Sequence, residues 1–243
     1  MLIIRLLDIL FSLVAILLLS PVLGPMYLIL KLTGQHQAFY VQPRVGKGGK
    51  DFGVFKFVTM VSNAEHMAGG YLTQKNDPRV LPLGKFLRKT KINELPQLFN
   101  ILFGQMSFVG PRPQARPHYD LYSPEVKQAI DAVPPGLTGI GSVVFRDEED
   151  ILNDLDNDRN HFHDTVIAPY KGLLELWYCG HRNLRTYFQL LLLTGWTLAR
   201  PRTVAWLRLF PDVPRVPPAL RIPLGVERFA SALYPDEFGN AAS

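Results

Sequence analysis

The sequence predicts a helix-rich α+β fold with an N-terminal membrane helix, a small β-hairpin and amphipathic helices at a membrane interface. Three observations predict it. Residues 10–32 are apolar and carry no charge before Lys31, which is typical of a membrane helix. Glycines separate aromatic and β-branched residues within 39–60, which indicates a hairpin. Segment 170–178 is amphipathic and rich in aromatic side chains, and segment 183–199 contains an apolar stretch too short to span a bilayer; both suit a membrane interface.

Length and charge narrow the classes of function. The 243 residues suffice for one substantial domain or two small ones. The net charge of +5 favours an anionic partner, which could be nucleic acid, a phospholipid membrane or a phosphorylated ligand. Nucleic acid suits the pattern least, because the basic residues are interleaved with apolar membrane-seeking ones. Cys179 is the single cysteine; it excludes an internal disulfide and is expected to be a small core residue.

The apolar N-terminal segment is long enough to cross a bilayer but is interrupted at its middle. As a helix, residues 10–32 would measure roughly 35 Å, against about 30 Å for the hydrocarbon core. Ser20-Pro21 and Gly24-Pro25 interrupt it, and each proline removes one backbone hydrogen bond. The two legs of about 12 residues, roughly 18 Å each, are individually too short to span.

Two topologies are therefore open for this segment from physics alone. It either spans the membrane or bends at Ser20 and Pro21 and returns, with Arg5 and Lys31 marking two ends at the same anionic surface. We expect the Ser20 hydroxyl to bond back to the Ile16 carbonyl and so offset part of the lost bonding. A cleaved signal peptide is disfavoured, because the apolar run is too long and lacks a small-residue cleavage pattern.

The middle of the chain carries the main candidate chemistry. After the basic hairpin, with Lys56 on its returning strand, residues 62–70 are expected to be helical. In residues 88–113 the carboxylate of Glu94 lies between Arg88 and Arg112. Arginine pairs bidentately with phosphate, and glutamate can hold Mg²⁺. The alternatives are a solvated basic hairpin and a helix with a solvated basic face.

The remaining segments offer weaker signals. A helix is predicted from Ser123-Pro124 to about residue 133, with serine as its cap. The acidic run over 147–158 indicates a solvated helix start, and the spacing of His161 and His163 does not fit a zinc site. The tail after residue 200 is rich in proline and arginine; it contains little that specifies a core, and we expect a surface or membrane-bound extension.

Taken together, these segments resemble the bacterial sugar transferase family, the monotopic phosphoglycosyl transferases, over residues 3–197. Each motif is weak alone, but their shared order is specific. The motifs are Ser20-Pro21, Gln42-x-Arg44-x-Gly46-x-x-Gly49-Lys50, Lys56-Phe57, Asp77-Pro78-Arg79, Leu87-Arg88-Lys89-Thr90, Glu94-Leu95-Pro96-Gln97, Met106-Ser107, Gly110-Pro111-Arg112-Pro113, Pro135-Gly136-Leu137-Thr138-Gly139 and Tyr170-Lys171.

The resemblance implies a re-entrant helix over 1–36, a catalytic domain over 37–199 and a Pro/Arg-rich extension over 200–243. It also implies transfer of a sugar-1-phosphate from a nucleotide diphosphate sugar, a UDP-sugar, to polyprenyl (undecaprenyl) phosphate. The reaction would use Mg²⁺ and a covalent phosphosugar intermediate. It would take place at the cytoplasmic face of the bacterial inner membrane and start exopolysaccharide or lipopolysaccharide assembly. A homo-oligomer is among the partners considered.

The resemblance also assigns roles to individual residues. Lys56 and Arg112 would hold the diphosphate, and Arg88 would balance the acidic centre. Glu94 would bind Mg²⁺ or act as base or nucleophile. Arg146 would be a further phosphate ligand at the edge of the site.

One departure from the family lies at the centre of the mechanism. Asn93 stands where the family has its nucleophilic aspartate, and a neutral amide cannot replace a carboxylate nucleophile. Val58 and Gln105 likewise replace charged family residues.

Three accounts of the Asn93 replacement are open. In the first, Glu94 takes over as nucleophile or assists direct attack by polyprenyl phosphate, while Asn93 keeps an oxygen for Mg²⁺. In the second, Asp147 or Glu148 completes the site, with Glu175 a weaker candidate. In the third, the protein is an inactive membrane scaffold.

Overall fold

The computed structural model describes residues 2–33, 35–62, 64, 67, 77–153, 159–200 and 203–238. Most of the helix expected over 62–70, and the acidic positions 154–158, lie outside these residues. Helices predominate. The α-helices in chain order are α1 Leu2–Leu32, α2 Pro82–Lys89, α3 Gln97–Leu102, α4 Arg116–Asp120, α5 Pro124–Asp131, α6 Ile140–Val144, α7 Glu148–Asn153, α8 Arg159–Phe162, α9 Ala168–Gly180, α10 Leu184–Ala199, α11 Ala205–Leu209, α12 Pro218–Arg221, α13 Ala230–Leu233 and α14 Pro235–Phe238.

The predicted hairpin is confirmed. Strands β1 (Phe39–Val45) and β2 (Asp51–Phe57) pair antiparallel, and a short 3-10 turn joins them. Within the turn Gly48 has a φ of 73°, a left-handed conformation that favours glycine. The pairing places Lys56 opposite Tyr40, so Lys56 shares a face with the alternate residues of β1.

A second, parallel pair holds two proline-rich loops together. Strand β3 (Ser107–Val109) is followed by the loop that contains Pro111-Arg112-Pro113. Strand β4 (Gly136–Thr138) is preceded by the loop that contains Pro134-Pro135. At Gly110 a Cβ would lie 2.6 Å from the carbonyl oxygen of Pro134. The two backbones are thus in direct contact, which only glycine permits, and this contact fixes the position of the Arg112 loop.

Helix α1 is continuous through both of its prolines, Pro21 and Pro25. The Ser20 hydroxyl donates to the carbonyl of Leu17 at 2.8 Å, so the expected bond to Ile16 was wrong by one residue. This is the one described helix that is long and apolar enough to cross a membrane by length and composition.

Both ends of α1 contact the rest of the chain. Near its start, Arg5 donates to the last carbonyls of α3 at 2.5 and 2.7 Å, where a cation is favoured by the helix dipole. The carboxylate of Asp8, only 2% exposed, accepts from the Phe108 N–H at 3.0 Å and the Tyr187 hydroxyl at 2.9 Å. Near its end, Leu30 packs in a cluster that includes Phe57 of the hairpin. The opposite face of α1 is apolar and exposed.

The C-terminal tail supplies part of the main core, which corrects the expectation of a surface extension. Trp206 and Phe210 are buried in the same cluster as Tyr178 of α9. The indole N–H of Trp177 donates to Asp212 at 3.1 Å. The sequence did not predict this burial, because the apolar residues of the tail are spread between prolines. They form no periodic stripe of the kind that marks a buried helix.

Helices α9 and α10 differ in how they pack. The three aromatic residues of α9, Tyr170, Trp177 and Tyr178, are buried, so they form core and not the interface predicted for residues 170–178. Cys179 is partly buried against the same core, as expected for a small core residue. Helix α10 starts at an Asn183 cap and keeps an exposed apolar side with Leu192 75% exposed.

Candidate active site

The hairpin presents a cluster of polar and basic groups on one face. The amide oxygen of Gln42 accepts from the Lys56 ammonium at 2.8 Å and from the Arg44 guanidinium at 2.9 Å. Because alternate residues of a strand face the same side and Lys56 of β2 lies opposite Tyr40 of β1, the hairpin by itself holds Gln42 and Arg44 beside Lys56. The result is two cations separated by a shared acceptor.

Glu94 lies beside this cluster at the end of a short 3-10 turn, Ile92–Glu94. The residue before the turn, Lys91, has a left-handed backbone conformation (φ 60°). The next helix, α3, is tied to the hairpin by Asn100, which is fully buried. Its side chain accepts from the Phe55 N–H at 2.9 Å and donates to the Gly53 carbonyl at 2.7 Å. This amide fixes the distance between the Glu94 turn and Lys56.

Glu94 and Arg112 form the central ion pair. The guanidinium Nη2 of Arg112 donates to Glu94 Oε1 at 2.9 Å, with the Glu94 side chain 16% exposed and that of Arg112 37% exposed. Burial acts to raise the pKa of Glu94, but the positive charges of Arg112 and Lys56 outweigh it and lower that pKa to about 2. Glu94 is therefore an ionised carboxylate at any physiological pH.

Lys56 has an unusual proton affinity. Burial lowers its pKa from the ordinary value near 10.5 to about 7, and the attraction of Glu94 opposes this only in part. Arg44, Arg112 and Arg88 lower it further by repulsion. A group of cations with one carboxylate among them is suited to an anion that brings more negative charge.

Asn93, which stands where the resemblance leads us to expect an aspartate, is 7% exposed in the same turn as Glu94. Its amide oxygen Oδ1 is buried and has no hydrogen-bond partner among the described residues. Such an oxygen is costly unless a ligand, water or ion contacts it. The other two departures are structural here: Val58 is buried, and Gln105 accepts from the Asn100 amide at 2.8 Å.

Glu175 lies on the other side of Arg112. Its Oε1 faces the backbone N–H of Arg112 at 3.4 Å, and its side chain projects from α9 toward Gly141, where a Cβ would lie 2.5 Å from the same oxygen. Burial raises the pKa of Glu175 to about 8, and the Arg112 backbone and the Lys171 charge offset this only in part. At neutral pH this carboxyl is mainly protonated.

Glu148 belongs to a further group of charged residues close to the Glu94–Arg112 ion pair. It accepts from the Lys171 ammonium at 2.6 Å. Burial acts to raise the pKa of Glu148, but the charge of Lys171 outweighs it and lowers that pKa overall. The ring of His163 lies 3.7 Å from Glu148 and 4.7 Å, centre to centre, from that of His118. Burial and the neighbouring His163 lower the pKa of His118 to about 4.

The structure thus brings together most of the residues singled out in the sequence. Glu94, Arg112 and Lys56 form one centre, and Arg88 is close enough to repel Lys56. Arg146 and Asp147 instead line a cavity beside the C-terminal tail.

Sequence reasoning missed three groups at this centre. Asn100 had no signal, because a buried amide looks like any helical polar residue. The hairpin partners Gln42 and Arg44 could have been placed beside Lys56 from strand alternation.

A family model described as bacterial sugar transferase matches residues 1–201 of the chain. Three relatives illustrate the similarity. The chain is 40% identical over 139 residues to a UDP-N-acetylgalactosamine-undecaprenyl-phosphate N-acetylgalactosaminephosphotransferase of Aeromonas hydrophila, covering 56% of this chain and 33% of the relative. It is 39% identical over 157 residues to a UDP-glucose:undecaprenyl-phosphate glucose-1-phosphate transferase of Klebsiella pneumoniae, covering 63% and 33%.

The third relative, an undecaprenyl-phosphate galactose phosphotransferase of Salmonella typhimurium, is 36% identical over 176 residues, covering 66% of this chain and 35% of the relative. The chain therefore spans about a third of the length of these relatives. The three names agree on the acceptor and differ in the sugar.

Proposed function

Because the chain belongs to the bacterial sugar transferase family, we propose that it transfers a sugar-1-phosphate from a UDP-sugar to polyprenyl (undecaprenyl) phosphate. The observation that carries this proposal is the Glu94–Arg112 pair beside Lys56. It combines an ionised carboxylate with cations that can hold both phosphates of the donor. The names of the relatives support the same donor and acceptor classes.

In this proposal Glu94 takes the place of the missing aspartate. Its carboxylate attacks the phosphorus that bears the sugar, a P–O bond to Glu94 forms, and the bond to the nucleoside monophosphate breaks. Polyprenyl phosphate then attacks the same phosphorus and releases Glu94. Arg112, Lys56 and Arg88 hold the transferring phosphoryl oxygens, where preorganised donors are worth most in the transition state. Lys56 takes up a proton as the diphosphate arrives, since added negative charge raises its pKa.

The residues of the Glu94 turn fit the Mg²⁺ that the family implies. Among the described residues no group of three His, Cys, Asp or Glu side chains could hold a metal. Mg²⁺ does not need one, because it commonly takes one or two protein oxygens together with waters and substrate phosphates. Glu94 offers a carboxylate, and Asn93 offers the buried oxygen that has no partner. When bound, the ion would neutralise charge on the phosphates.

We place the chain at the cytoplasmic face of the inner membrane as part of this proposal, and the contacts of helix α1 support a monotopic attachment. Asp8 near its start and Leu30 near its end both contact the same body of the protein. A helix that carried its two ends to opposite sides of a bilayer would have to give up one of these contacts. In this placement the exposed apolar face of α1 enters the lipid, and the product would initiate exopolysaccharide or lipopolysaccharide assembly.

The proposal is tested with the full chain in lipid nanodiscs, given undecaprenyl phosphate, Mg²⁺ and a panel of labelled UDP-sugars. Release of UMP with one of the sugars is the expected result. Arg112→Ala should reduce that release by about a hundredfold or more, the usual effect of removing one such donor. Arg116→Ala is the matched control, because Arg116 is an exposed arginine paired with Asp51. Its activity should equal that of the wild type.

The mechanism is tested separately by trapping. Rapid quenching with a donor labelled in the sugar phosphate should yield an adduct that mass spectrometry maps to Glu94. An adduct on Asp147 or Glu148 would contradict the role of Glu94 while leaving the overall reaction intact. Donor binding without UMP release for any sugar would contradict the transferase and favour a membrane scaffold.

A further inference from the structure

The C-terminal tail, described over residues 203–238, packs along one face of helix α9. It lies beyond residue 201, where the match to the family ends. The Tyr170 hydroxyl donates to the Pro214 carbonyl at 3.0 Å, and the Trp177 indole N–H donates to Asp212 at 3.1 Å. Because Tyr170 and Trp177 are seven residues apart, they lie on the same face of the helix. The tail therefore contacts α9 at two points along that face.

His181, the residue after α9, also contacts Asp212. Its Nε2 lies 3.0 Å from Asp212 Oδ2, the same oxygen that accepts from Trp177, and its ring stacks on the Trp177 ring at 4.7 Å between centres. The side chains of His181 and Asp212 are 47% and 54% exposed, so their ion pair contributes little to stability. Trp177 is buried, and loss of the carboxylate would leave its N–H without this acceptor, which costs more. Asp212 is therefore the polar anchor of the tail on α9.

A second face of α9 holds the loop that carries Arg112. The Tyr178 hydroxyl donates to the carbonyl of Val109 at 2.9 Å, at the point where strand β3 ends and the loop begins. Glu175 Oε1 faces the backbone N–H of Arg112 at 3.4 Å. Since Glu175 and Tyr178 are three residues apart, they project from the same face of the helix. This face contacts both ends of the segment from Val109 to Arg112.

Helix α9 thus connects the tail with the Glu94–Arg112 ion pair. A helix held by its backbone hydrogen bonds moves as one body, so a shift of α9 would carry Glu175 and Tyr178 with it. The Arg112 loop would follow, and its guanidinium would leave the position 2.9 Å from Glu94. Rigid elements of this kind carry coupling between distant sites. A misplacement of about 1 Å at a reacting centre can reduce a rate by roughly a hundredfold.

We propose that the C-terminal tail holds α9 in the position that sets the Arg112 loop for transfer, and that Asp212 is a positioning residue of the reaction. Asp212 acts through Trp177 and α9, not by contact with a substrate. The effect on the reaction rests on the transferase proposal. The effect on the position of the loop does not, and it is measured separately.

The position of the loop is tested by hydrogen exchange with mass spectrometry on the full chain in lipid nanodiscs. Asp212→Ala should raise the exchange rate of the amides in 109–114, which include that of Arg112, about tenfold, as expected for loss of one buried hydrogen bond. In Asp212→Asn the amide oxygen can still accept from Trp177, so the exchange rate should stay within about threefold of that of the wild type.

Two further variants control this measurement. Asp236→Ala is the matched control, because Asp236 is an aspartate of the same tail with a similar exposure of 57% and pairs with Arg215. Its loop should exchange like that of the wild type. Trp177→Phe keeps an aromatic ring and removes only the indole donor, so it should reproduce Asp212→Ala. It also replaces that variant if Asp212→Ala does not fold.

The effect on the reaction is tested by a double-mutant cycle on kcat for UMP release. Tyr178→Phe removes only the hydroxyl that donates to Val109. Asp212→Ala should lower kcat about tenfold in the wild type but only about twofold in Tyr178→Phe, because there the contact through which it acts is already lost. Additive losses would show that Asp212 only stabilises the fold, and they would overturn the positioning role.

The two measurements separate this proposal from the transferase proposal. Unchanged loop exchange in both Asp212→Ala and Trp177→Phe would overturn the effect of the tail on the loop. Raised exchange together with an unchanged kcat would overturn Asp212 as a positioning residue. If the wild type releases no UMP with any sugar, the transferase proposal fails, and the exchange rates still decide whether the tail positions the Arg112 loop.

Discussion

Glu94 and Glu175 lie on opposite sides of Arg112 and hold opposite charge states. Both are shielded from water, with the Glu94 side chain 16% exposed and Glu175 2% exposed. Glu94 meets the guanidinium of Arg112, and its pKa falls to about 2. Glu175 faces the backbone N–H of the same residue, and burial raises its pKa to about 8 despite that hydrogen bond and the positive charges of Lys171 and Arg112.

The difference shows that the balance between burial and nearby positive charge decides the charge state of a buried carboxyl. Burial disfavours the ionised form of both carboxyls. The positive charges of Arg112 and Lys56 reverse this effect at Glu94, whereas the 3.4 Å hydrogen bond from the Arg112 N–H and the charges of Lys171 and Arg112 do not reverse it at Glu175. One carboxyl can therefore attack phosphorus or hold a cation, while the other positions the Arg112 loop as a neutral acid.

The largest effect is expected on UMP release, which should fall far more in Glu94→Gln than in Glu175→Gln. Glu94→Gln removes the only charge that can form the proposed adduct, and UMP release should fall about a hundredfold or more, close to 2.7 kcal/mol in activation free energy. Glu175→Gln replaces a neutral acid with a neutral amide of similar shape, and release at pH 7 should change less than about tenfold. Equal losses of UMP release in the two variants would contradict the different charge states of Glu94 and Glu175.

A second variant perturbs Glu175 through its neighbour. In Gly141→Ala the new methyl would lie 2.5 Å from Glu175 Oε1, so the carboxyl must move away from the Arg112 loop. We expect a loss of about 1–3 kcal/mol in the free energy of unfolding, as for other overpacked sites. Urea titration measures it.

Gly195→Ala is the control for this substitution. Gly195 is also helical, and apart from its chain neighbours and the helix's own backbone, no described atom lies within 4 Å of its Cβ position. This variant should gain up to about 1 kcal/mol from helix propensity. A loss at Gly195 equal to that at Gly141 would show that contact with Glu175 is not the cause.

The pH dependence of stability gives a third test. The folded pKa of Glu175, about 8, exceeds the unfolded value near 4.3, so the folded state binds more protons between these limits. Its contribution to stability is fully present below the lower pH and is lost as pH rises to the upper one, by up to about 1.4 kcal/mol per pH unit. Thermal unfolding of the wild type minus that of Glu175→Gln should show this fall between pH 5 and 8. A difference independent of pH would contradict the protonated state.

The smallest expected effect is on Lys56. Its pKa of about 7 should appear as a near-neutral midpoint in NMR of ¹³C-methylated lysines, assigned with Lys56→Arg. Because Glu94 raises this pKa, Glu94→Gln should lower it further, by roughly one unit or less. The half-buried Lys127, whose ammonium donates to the Asp120 carbonyl, serves as an internal reference that the substitution should not move. A Lys56 midpoint near 10.5 would contradict the buried environment.

Much of the local structure was predictable from the sequence. The hairpin around Gly48, the Ser123 cap of α5 and the apolar helix α1 all follow from short-range patterns, which depend on backbone conformation and periodicity. The order of the motifs predicted Glu94 and Arg112 in one candidate centre, and the structure pairs their side chains. The continuity of α1 through Pro21 and Pro25 was less predictable, since packing along the helix can compensate for lost backbone bonds.

Other features were decided only by tertiary structure. Glu175 reaches Arg112 across 63 residues of sequence, and no local signal distinguishes it from a solvated helical glutamate. The tail around Trp206 joins the main core without a periodic pattern, and the cavity at Arg146 exists only because that tail closes it. The charge of a carboxyl depends on what surrounds it, and the surroundings are set by contacts between distant segments. The sequence therefore determined which ionisable groups this protein has, and the fold determined which of them are charged.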